Sequence, residues 1–283
     1  MTRYIRVLVF SFALALLPGA ALADMDRAME LLEAGDFEGA FAELLPHARE
    51  GNPRAQTEIA ILYLNGRGVE EDSEEALSWA REAANQSDPF GQYLLGWMLV
   101  NGHGTEPDAI AAIPLYEAAA NRGLVAAQTA LANLFTYGAD GIEIDHTEGD
   151  YWYAQAVQNG DPQAMNGFAW SLVIRDQNLI DALNISETSV ALEPGNAASI
   201  DTLGTIRLLL ERYESAAKYL ELAVALQPDY PPFMARLGDA YAGMGDDASA
   251  RAQWEAAMSA VATYEGGYDE LWDIDAVRDR LGL

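Results

Sequence analysis

The chain has 283 residues, of which 51% are hydrophobic, and its 44 acidic against 16 basic residues give a formal net charge of −28. This charge argues against nucleic acid and anionic lipid surfaces as partners, because both are themselves negatively charged. Cysteine is absent, which excludes disulfides, thiolate metal sites and a cysteine nucleophile.

Residues 1–23 have the features of a signal peptide. Arg3 and Arg6 give the segment a positive start, and residues 7–17 form an apolar run that is too short to cross a bilayer about 30 Å thick. Ala21-Leu22-Ala23 follows as a small-x-small cleavage site. We expect cleavage after Ala23, no membrane insertion of the mature chain, and a periplasmic or secreted location.

Internal repetition dominates the next part of the chain. Residues 24–51 are predicted to form a helical hairpin that turns at Gly35-Asp36, and from residue 52 the sequence matches itself when shifted by 36 residues. The coinciding pairs are Pro53 and Pro89, Gln56 and Gln92, Asn65-Gly66 and Asn101-Gly102, Gly68 and Gly104, Asp72 and Asp108, and Ala76 and Ala112. A fixed period of this length indicates an array of stacked structural units.

The composition of one unit explains why the units stack. Apolar residues from Ala55 to Tyr63 recur every three or four positions, which places them on one face of a helix. Gly66 then suits a left-handed helix end, and Asp72 suits the start of a second helix. A single helical hairpin cannot bury its own apolar face, so neighbouring units must cover one another.

This pattern resembles the Sel1-like repeat. The resemblance covers residues 52–160 in three copies, and the third copy departs from it in its loop, where Asp140 replaces the second glycine. A degenerate fourth copy over residues 161–196 is predicted either to continue the stack or to bend it.

Beyond this junction the period changes to 34 residues, and the sequence resembles the tetratricopeptide repeat (TPR). Leu203-Gly204 recurs as Leu237-Gly238 within the TPR-like residues 197–262. Residues 263–283 are predicted to contain a capping helix, with Leu271, Ile274, Val277 and Leu281 on one face. The predicted fold is therefore all-α: a right-handed superhelix of about fifteen helices in Sel1-like and TPR hairpins, essentially without strands.

No chemical motif of an enzyme or metal protein stands out. The Gly-x-Gly pairs follow helices instead of strands, which is the wrong context for a phosphate-binding loop. His47, His103 and His146 fall in different units and lack metal-ligand spacing. The acidic loop over residues 140–150 lacks the ligand pattern of a calcium loop. We predict no enzymatic activity, no cofactor and no metal.

One set of side chains is a candidate partner-binding surface. In TPR-like solenoids, certain positions of the first helix of each unit line the concave face, and the resemblance places aromatic and amide residues there. Such a composition is typical of binding patches, although the same aromatics would also suit packing against adjoining helices. The candidate residues are Phe90, Tyr93, Trp97, Asn133, Tyr137, Asn166 and Trp170.

These observations favour a periplasmic interaction scaffold or adaptor with a protein or peptide partner. The Sel1-like resemblance implies two specific versions, a regulator that binds a membrane sensor and a factor in envelope assembly. A cell-wall hydrolase and a binder of small ligands or cations remain as alternatives. The sequence leaves open the identity of the partner and the oligomeric state.

Overall fold

The computed structural model describes residues 18–283, which form fifteen α-helices and no β-strand. The predicted all-α fold of consecutive helical hairpins is confirmed, while most of the predicted signal peptide lies outside the described residues. The helices are α1 (Pro18–Ala34), α2 (Phe37–Arg49), α3 (Pro53–Asn65), α4 (Ser73–Asn85), α5 (Pro89–Asn101), α6 (Ala109–Ala120), α7 (Val125–Tyr137), α8 (His146–Gln158), α9 (Pro162–Ile174), α10 (Leu179–Leu192), α11 (Ala197–Leu209), α12 (Tyr213–Leu226), α13 (Pro231–Gly243), α14 (Asp247–Val261) and α15 (Ile274–Leu281).

The chain divides into two compact units, the first ending at Ala118 and the second beginning at Ala119. None of the helices in residues 18–283 is both long and apolar enough to span a bilayer.

Carboxylates and amides placed by the repeat fix where the helices of unit 1 begin. Asn52 accepts a hydrogen bond from the backbone N–H of Ala55 at the start of α3, and Asp72 accepts from Glu74 and Glu75 at the start of α4. Each such cap satisfies backbone donors that the first helical turn leaves free, and is worth about 1 kcal/mol. Part of the acidity of the chain therefore specifies helix boundaries.

The second glycine of each Gly-x-Gly loop in unit 1 packs against the preceding hairpin. Gly68 has φ +71° and Gly104 has φ +70°. A Cβ at Gly68 would overlap the backbone carbonyl of Phe37, and one at Gly104 would overlap that of Ser73. Both positions therefore require glycine for two reasons, the left-handed backbone conformation and the close approach between hairpins.

The repeated glutamines connect each first helix to the end of the helix before it. Gln56 is buried, and its Nε2 donates to the carbonyl oxygen of Ala48, 3.1 Å away. In unit 2, Gln128 is likewise buried and donates to the carbonyl of Ala120 at 3.2 Å. Each of these carbonyls also accepts from the backbone N–H of the following turn, Gly51 or Gly123, so the amide is its second donor.

Unit 2 continues the succession of hairpins without interruption through the degenerate segment. Helix α8 packs on α9, α9 pairs with α10, and α10 packs on α11. The first helices of three consecutive hairpins also contact one another, α9 against α11 and α11 against α13. Together these three helices form one surface, which we call the inner face of unit 2.

The C-terminal cap is shorter than the predicted amphipathic segment. Asp273 accepts hydrogen bonds from the backbone N–H groups of Asp275 and Ala276, so α15 starts at Ile274. Val277 and Leu281 are buried in a cluster with α14, as predicted, whereas Leu271 is outside the helix and exposed. Residues 263–273, which we call the C-terminal strap, form no helix or strand.

Candidate functional site

A buried arginine organises the inner face of unit 2. Arg236 of α13 donates from Nε and Nη2 to both carboxylate oxygens of Asp201 in α11, at 3.0 and 2.8 Å. From Nη1 and Nη2 it donates to both oxygens of Asp269 in the strap, at 3.1 and 2.8 Å. The side chains of Arg236 and Asp201 are 9% and 4% exposed. The planar guanidinium thus holds two carboxylates in bidentate geometry away from water.

The two carboxylates differ in their burial and in their other hydrogen-bond partners. Burial raises the pKa of Asp201 to about 6, against the opposing effect of Arg236. Asp269 is 16% exposed and also accepts from the hydroxyl of Tyr230, at 3.2 Å. Its own backbone N–H donates back to that hydroxyl at 3.1 Å. Asp201 is therefore buried within the inner face, while Asp269 binds to this face from the strap and is more exposed.

Trp170 of α9 forms a second polar contact with the strap. Its Nε1 donates to Glu270 at 2.7 Å, and its ring lies 5.5 Å from the guanidinium carbon of Arg236. Tyr264 contacts the inner face by an edge-to-face arrangement with Tyr230, with ring centroids 5.4 Å apart. Trp170 of α9, Arg236 of α13 and Tyr230, which directly precedes α13, thus all contact one short, non-helical segment.

Beside the strap, a pocket of about 360 Å³ opens between these elements. Its lining includes Asn166, Trp170, Asp201, Tyr230 and Phe233. The Oδ1 atom of Asn166 is buried and accepts no hydrogen bond from the described residues. An acceptor in a pocket lined partly by aromatic rings suits a backbone N–H or another polar donor of a ligand.

Of the predicted site residues in unit 2, Asn166 and Trp170 lie together at this pocket. Asn133 and Tyr137 of α7 serve a tyrosine network instead. Asn133 is exposed, but its Oδ1 accepts from the hydroxyl of Tyr153 at 2.5 Å. Burial, followed by the nearby charge of Glu270, raises the pKa of Tyr137 to about 12.

The three predicted residues in unit 1 have different environments. Phe90 is 61% exposed and Trp97 is 37% exposed. They lie two turns apart on one face of α5, and the Trp97 ring stacks on His103 with centroids 4.6 Å apart. Tyr93 is half-buried and packs against Tyr116 at 5.8 Å. Phe90 and Trp97 are therefore accessible, while Tyr93 contributes to the packing of its hairpin.

The residues that organise the inner face were not predicted from the sequence: Arg236, Asp201, Asp269 and Tyr230. One signal was available. Arg236 directly precedes Leu237-Gly238, the position in the TPR-like unit where the first helix is most tightly packed. An arginine there requires a carboxylate partner, because a buried charge is stable only when it is paired. No pattern in the sequence identifies Asp269, which reaches Arg236 from the irregular strap.

The carboxylates at the pocket are engaged by the arginine. Both Asp201 and Asp269 accept from Arg236, so these two carboxylates are the ion-pair partners of one arginine. Within residues 18–283, no three histidine, aspartate or glutamate side chains are grouped so that they could hold a metal ion.

Comparison with known families identifies the repeated part of the chain. The family model of the Sel1 repeat matches residues 53–88, 89–124 and 125–161. Residues 53–161 are three Sel1 repeats. Gly68, Gly104, Gln56, Gln128 and the capping Asp72 thus lie within Sel1 repeats. Comparison with curated protein sequences gives no significant match.

Solved structures show the same fold. A protective antigen of uropathogenic Escherichia coli with an SLR fold aligns with a TM-score of 0.75 at 21% identity, covering 85% of this chain. This chain spans only 54% of that antigen. A Sel1 repeat protein from Oxalobacter formigenes aligns at 0.67 and 23% identity, over 83% of this chain and 99% of its own. YrrB, a TPR protein with an unusual peptide-binding site, aligns at 0.51 and 15% identity, over 68% and 95%. The fold is that of Sel1 and TPR solenoids.

Proposed function

We propose that the protein is an exported scaffold, periplasmic or secreted, which binds a protein or peptide partner through surfaces of its first helices. Sel1 and TPR repeat proteins generally mediate protein–protein interaction and are generally non-catalytic scaffolds. The similar protein YrrB has a peptide-binding site, and a peptide segment is the partner class proposed here. The signal peptide predicted at residues 1–23 supports the location.

The observation that carries the proposal is the exposed aromatic pair on α5. Phe90 and Trp97 leave 61% and 37% of their surfaces in water. Ile61, which occupies the position of Trp97 one repeat earlier, is also exposed. Large apolar side chains that line up on consecutive first helices are typical of interaction surfaces, since their burial by a partner is favourable.

The two partner classes suggested by the resemblance are the outer domain of a membrane sensor and an envelope assembly factor. The first would make the protein a regulator of signalling, and the second a helper in envelope construction. Cross-linking in cells that express the protein, followed by identification of the captured protein, distinguishes these versions.

The test of the binding surface is a double substitution with a matched control. Phe90→Ala with Trp97→Ala should reduce capture of the partner from a periplasmic fraction by about tenfold or more, because aromatic anchors supply a large share of interface energy. Ile110→Ala removes a side chain that is 56% exposed on the second helix α6 of unit 1, and should leave capture unchanged. Equal capture by the double variant, with its melting temperature preserved, would show that this surface is not the binding site.

A further inference from the structure

We propose that the C-terminal strap, residues 263–273, is a built-in ligand that occupies the inner face of unit 2, and that an external partner displaces it by presenting a carboxylate to Arg236. This inference rests on the proposed scaffold function and goes beyond it, because it assigns a second, closed interaction surface and the chemistry of the segment that opens it.

The strap is held in the way that a bound peptide is held. Within the described structure it forms neither helix nor strand, and its hydrogen bonds to the inner face come from two acidic residues and one backbone group. Asp269 pairs with Arg236, Glu270 accepts from Trp170, and Tyr264 packs on Tyr230. These contacts are made by side chains of two helices, α9 and α13, and by Tyr230, which directly precedes α13, so none of them depends on a regular structure within the strap that would have to unfold.

Arg236 has one permanent partner and one exchangeable partner. Asp201 comes from α11 and is enclosed by the inner face, while Asp269 comes from the strap and is the more exposed of the two carboxylates. A carboxylate from another chain reproduces the bidentate contact with the same face of the guanidinium. The exchange costs little in stability, because Asp201 stays in place and the buried cation is never left without a partner.

The strap can move away from the inner face without disturbing the helices at its ends. Gly266 and Gly267 lie within it, and a Cβ at Gly267 would meet nothing within 4 Å. On its C-terminal side, the anchor includes the end of the strap itself, because Trp272 packs on the cluster in which Val277 and Leu281 are buried with α14, so the part free to lift is residues 263–271. The two glycines give the segment the backbone freedom to lift as a loop while both of its ends remain attached.

The chemistry of the strap predicts the chemistry of its competitor. Around Asp269 the segment reads Tyr268-Asp269-Glu270-Leu271-Trp272, two carboxylates flanked by aromatic rings. The matching external ligand is an acidic, aromatic peptide segment. The net charge of −28 repels acidic peptides in general, so binding should depend on Arg236 specifically.

The experiment uses a labelled synthetic peptide with the sequence of residues 263–274 and measures its binding by fluorescence anisotropy. Asp269→Asn with Glu270→Gln weakens the attachment of the strap and should raise peptide affinity by about tenfold or more over the unsubstituted protein, because apparent affinity scales with the fraction of open sites. Glu265→Gln is the matched control, since Glu265 is an exposed strap residue. It should bind the peptide as weakly as the unsubstituted protein.

We call the protein with Asp269→Asn and Glu270→Gln the released variant. A peptide that carries the same two substitutions should not bind it with the raised affinity. Adding Arg236→Lys to the released variant should also remove the gain, because lysine cannot form the bidentate contact. Equal binding to the released and unsubstituted proteins, or no binding to a correctly folded released variant, would overturn the proposal. Should that variant fail to fold, Tyr264→Ser with Glu270→Gln leaves Arg236 paired and should still raise peptide affinity. The same affinity as the unsubstituted protein would again overturn it.

The probe is the chain's own sequence, so this test does not require the cellular partner. Partner capture through Phe90 and Trp97 combined with failed peptide binding would remove the strap proposal alone. Peptide binding without partner capture would remove only the proposed surface on α5.

Discussion

The indole Nε1 of Trp170 donates a hydrogen bond to Glu270 over 2.7 Å and so joins helix α9 to a segment 100 residues further along the chain. The same ring lies 5.5 Å from the guanidinium carbon of Arg236. Trp97 of α5 has no comparable role, since its ring stacks on His103 and remains partly exposed. Two tryptophans at equivalent repeat positions therefore make different contacts.

This difference predicts unequal effects on stability. Trp170→Ala should lower the free energy of unfolding by about 2–4 kcal/mol, because it removes a large packed ring together with a charge-assisted hydrogen bond. Trp97→Ala should cost about 1 kcal/mol or less, as expected for a partly exposed side chain. Urea unfolding followed by circular dichroism measures both. Equal losses would mean that Trp97 is a core residue as well.

Loss of the buried arginine should be severe. Arg236→Met leaves Asp201 buried without its counter-charge and should cost about 3–5 kcal/mol. Adding Asp201→Asn to this variant should recover part of the loss, because a neutral amide is cheaper to bury than a carboxylate. Arg251→Met is the control: Arg251 pairs with Glu255 on the surface, with both side chains more than half exposed, and its loss should cost less than about 1 kcal/mol.

The raised pKa of Asp201 predicts a pH dependence with a definite sign. Burial raises its pKa from the ordinary 3.8 to about 6 in the folded chain, so the folded state binds this proton more tightly than the unfolded state does. The stabilisation is complete below about pH 4 and is lost as the pH rises through 6.

Asp201→Asn lacks this titration. The stability of the variant relative to the unsubstituted protein should therefore improve by about 2 kcal/mol between pH 4 and pH 7. Paired urea titrations at several pH values measure the difference and cancel the contribution of the other acidic residues. A difference that does not change with pH would show that Arg236 keeps Asp201 ionised throughout this range.

Two glycines of unit 1 allow the cost of backbone strain to be measured separately from the cost of steric overlap. Gly51 has φ +92° and open space around its Cβ position, whereas Gly104 has φ +70° and abuts the carbonyl of Ser73. Gly51→Ala should cost about 1 kcal/mol from backbone strain alone. Gly104→Ala should cost about 2–4 kcal/mol, because the hairpins must also move apart. Similar losses at both positions in urea unfolding would contradict the close contact.

The architecture was predictable because periodic features determine it locally. The spacing of Ala55, Ile59 and Leu62 predicts a buried helix face, and all three residues are buried. The turn predicted at Gly35-Asp36 separates α1 from α2. The helix starts were expected to carry acids, and Asp72 and Asp145 cap α4 and α8. Each of these features depends on a few neighbouring residues, which is why a single sequence was sufficient.

The candidate site was predictable only in part. Asn166 and Trp170 were predicted because they occupy repeat positions. Asp269 and Glu270 follow no repeat, and their partners Arg236 and Trp170 lie 33 and 100 residues away in the sequence. The predicted cap placed Leu271 on the buried face of a continuous helix. The capping carboxylate of Asp273 instead starts the helix later and leaves the preceding segment irregular. Periodicity gives no information about where an irregular segment lies.

The contacts of Gly68 with Phe37 and of Gly104 with Ser73 are the same contact displaced by 36 residues. The repeat of residues 53–88 therefore carries both halves of this junction, Gly68 for the hairpin before it and Ser73 for the repeat after it. A second copy of these residues inserted in frame would present matching contacts to both of its neighbours.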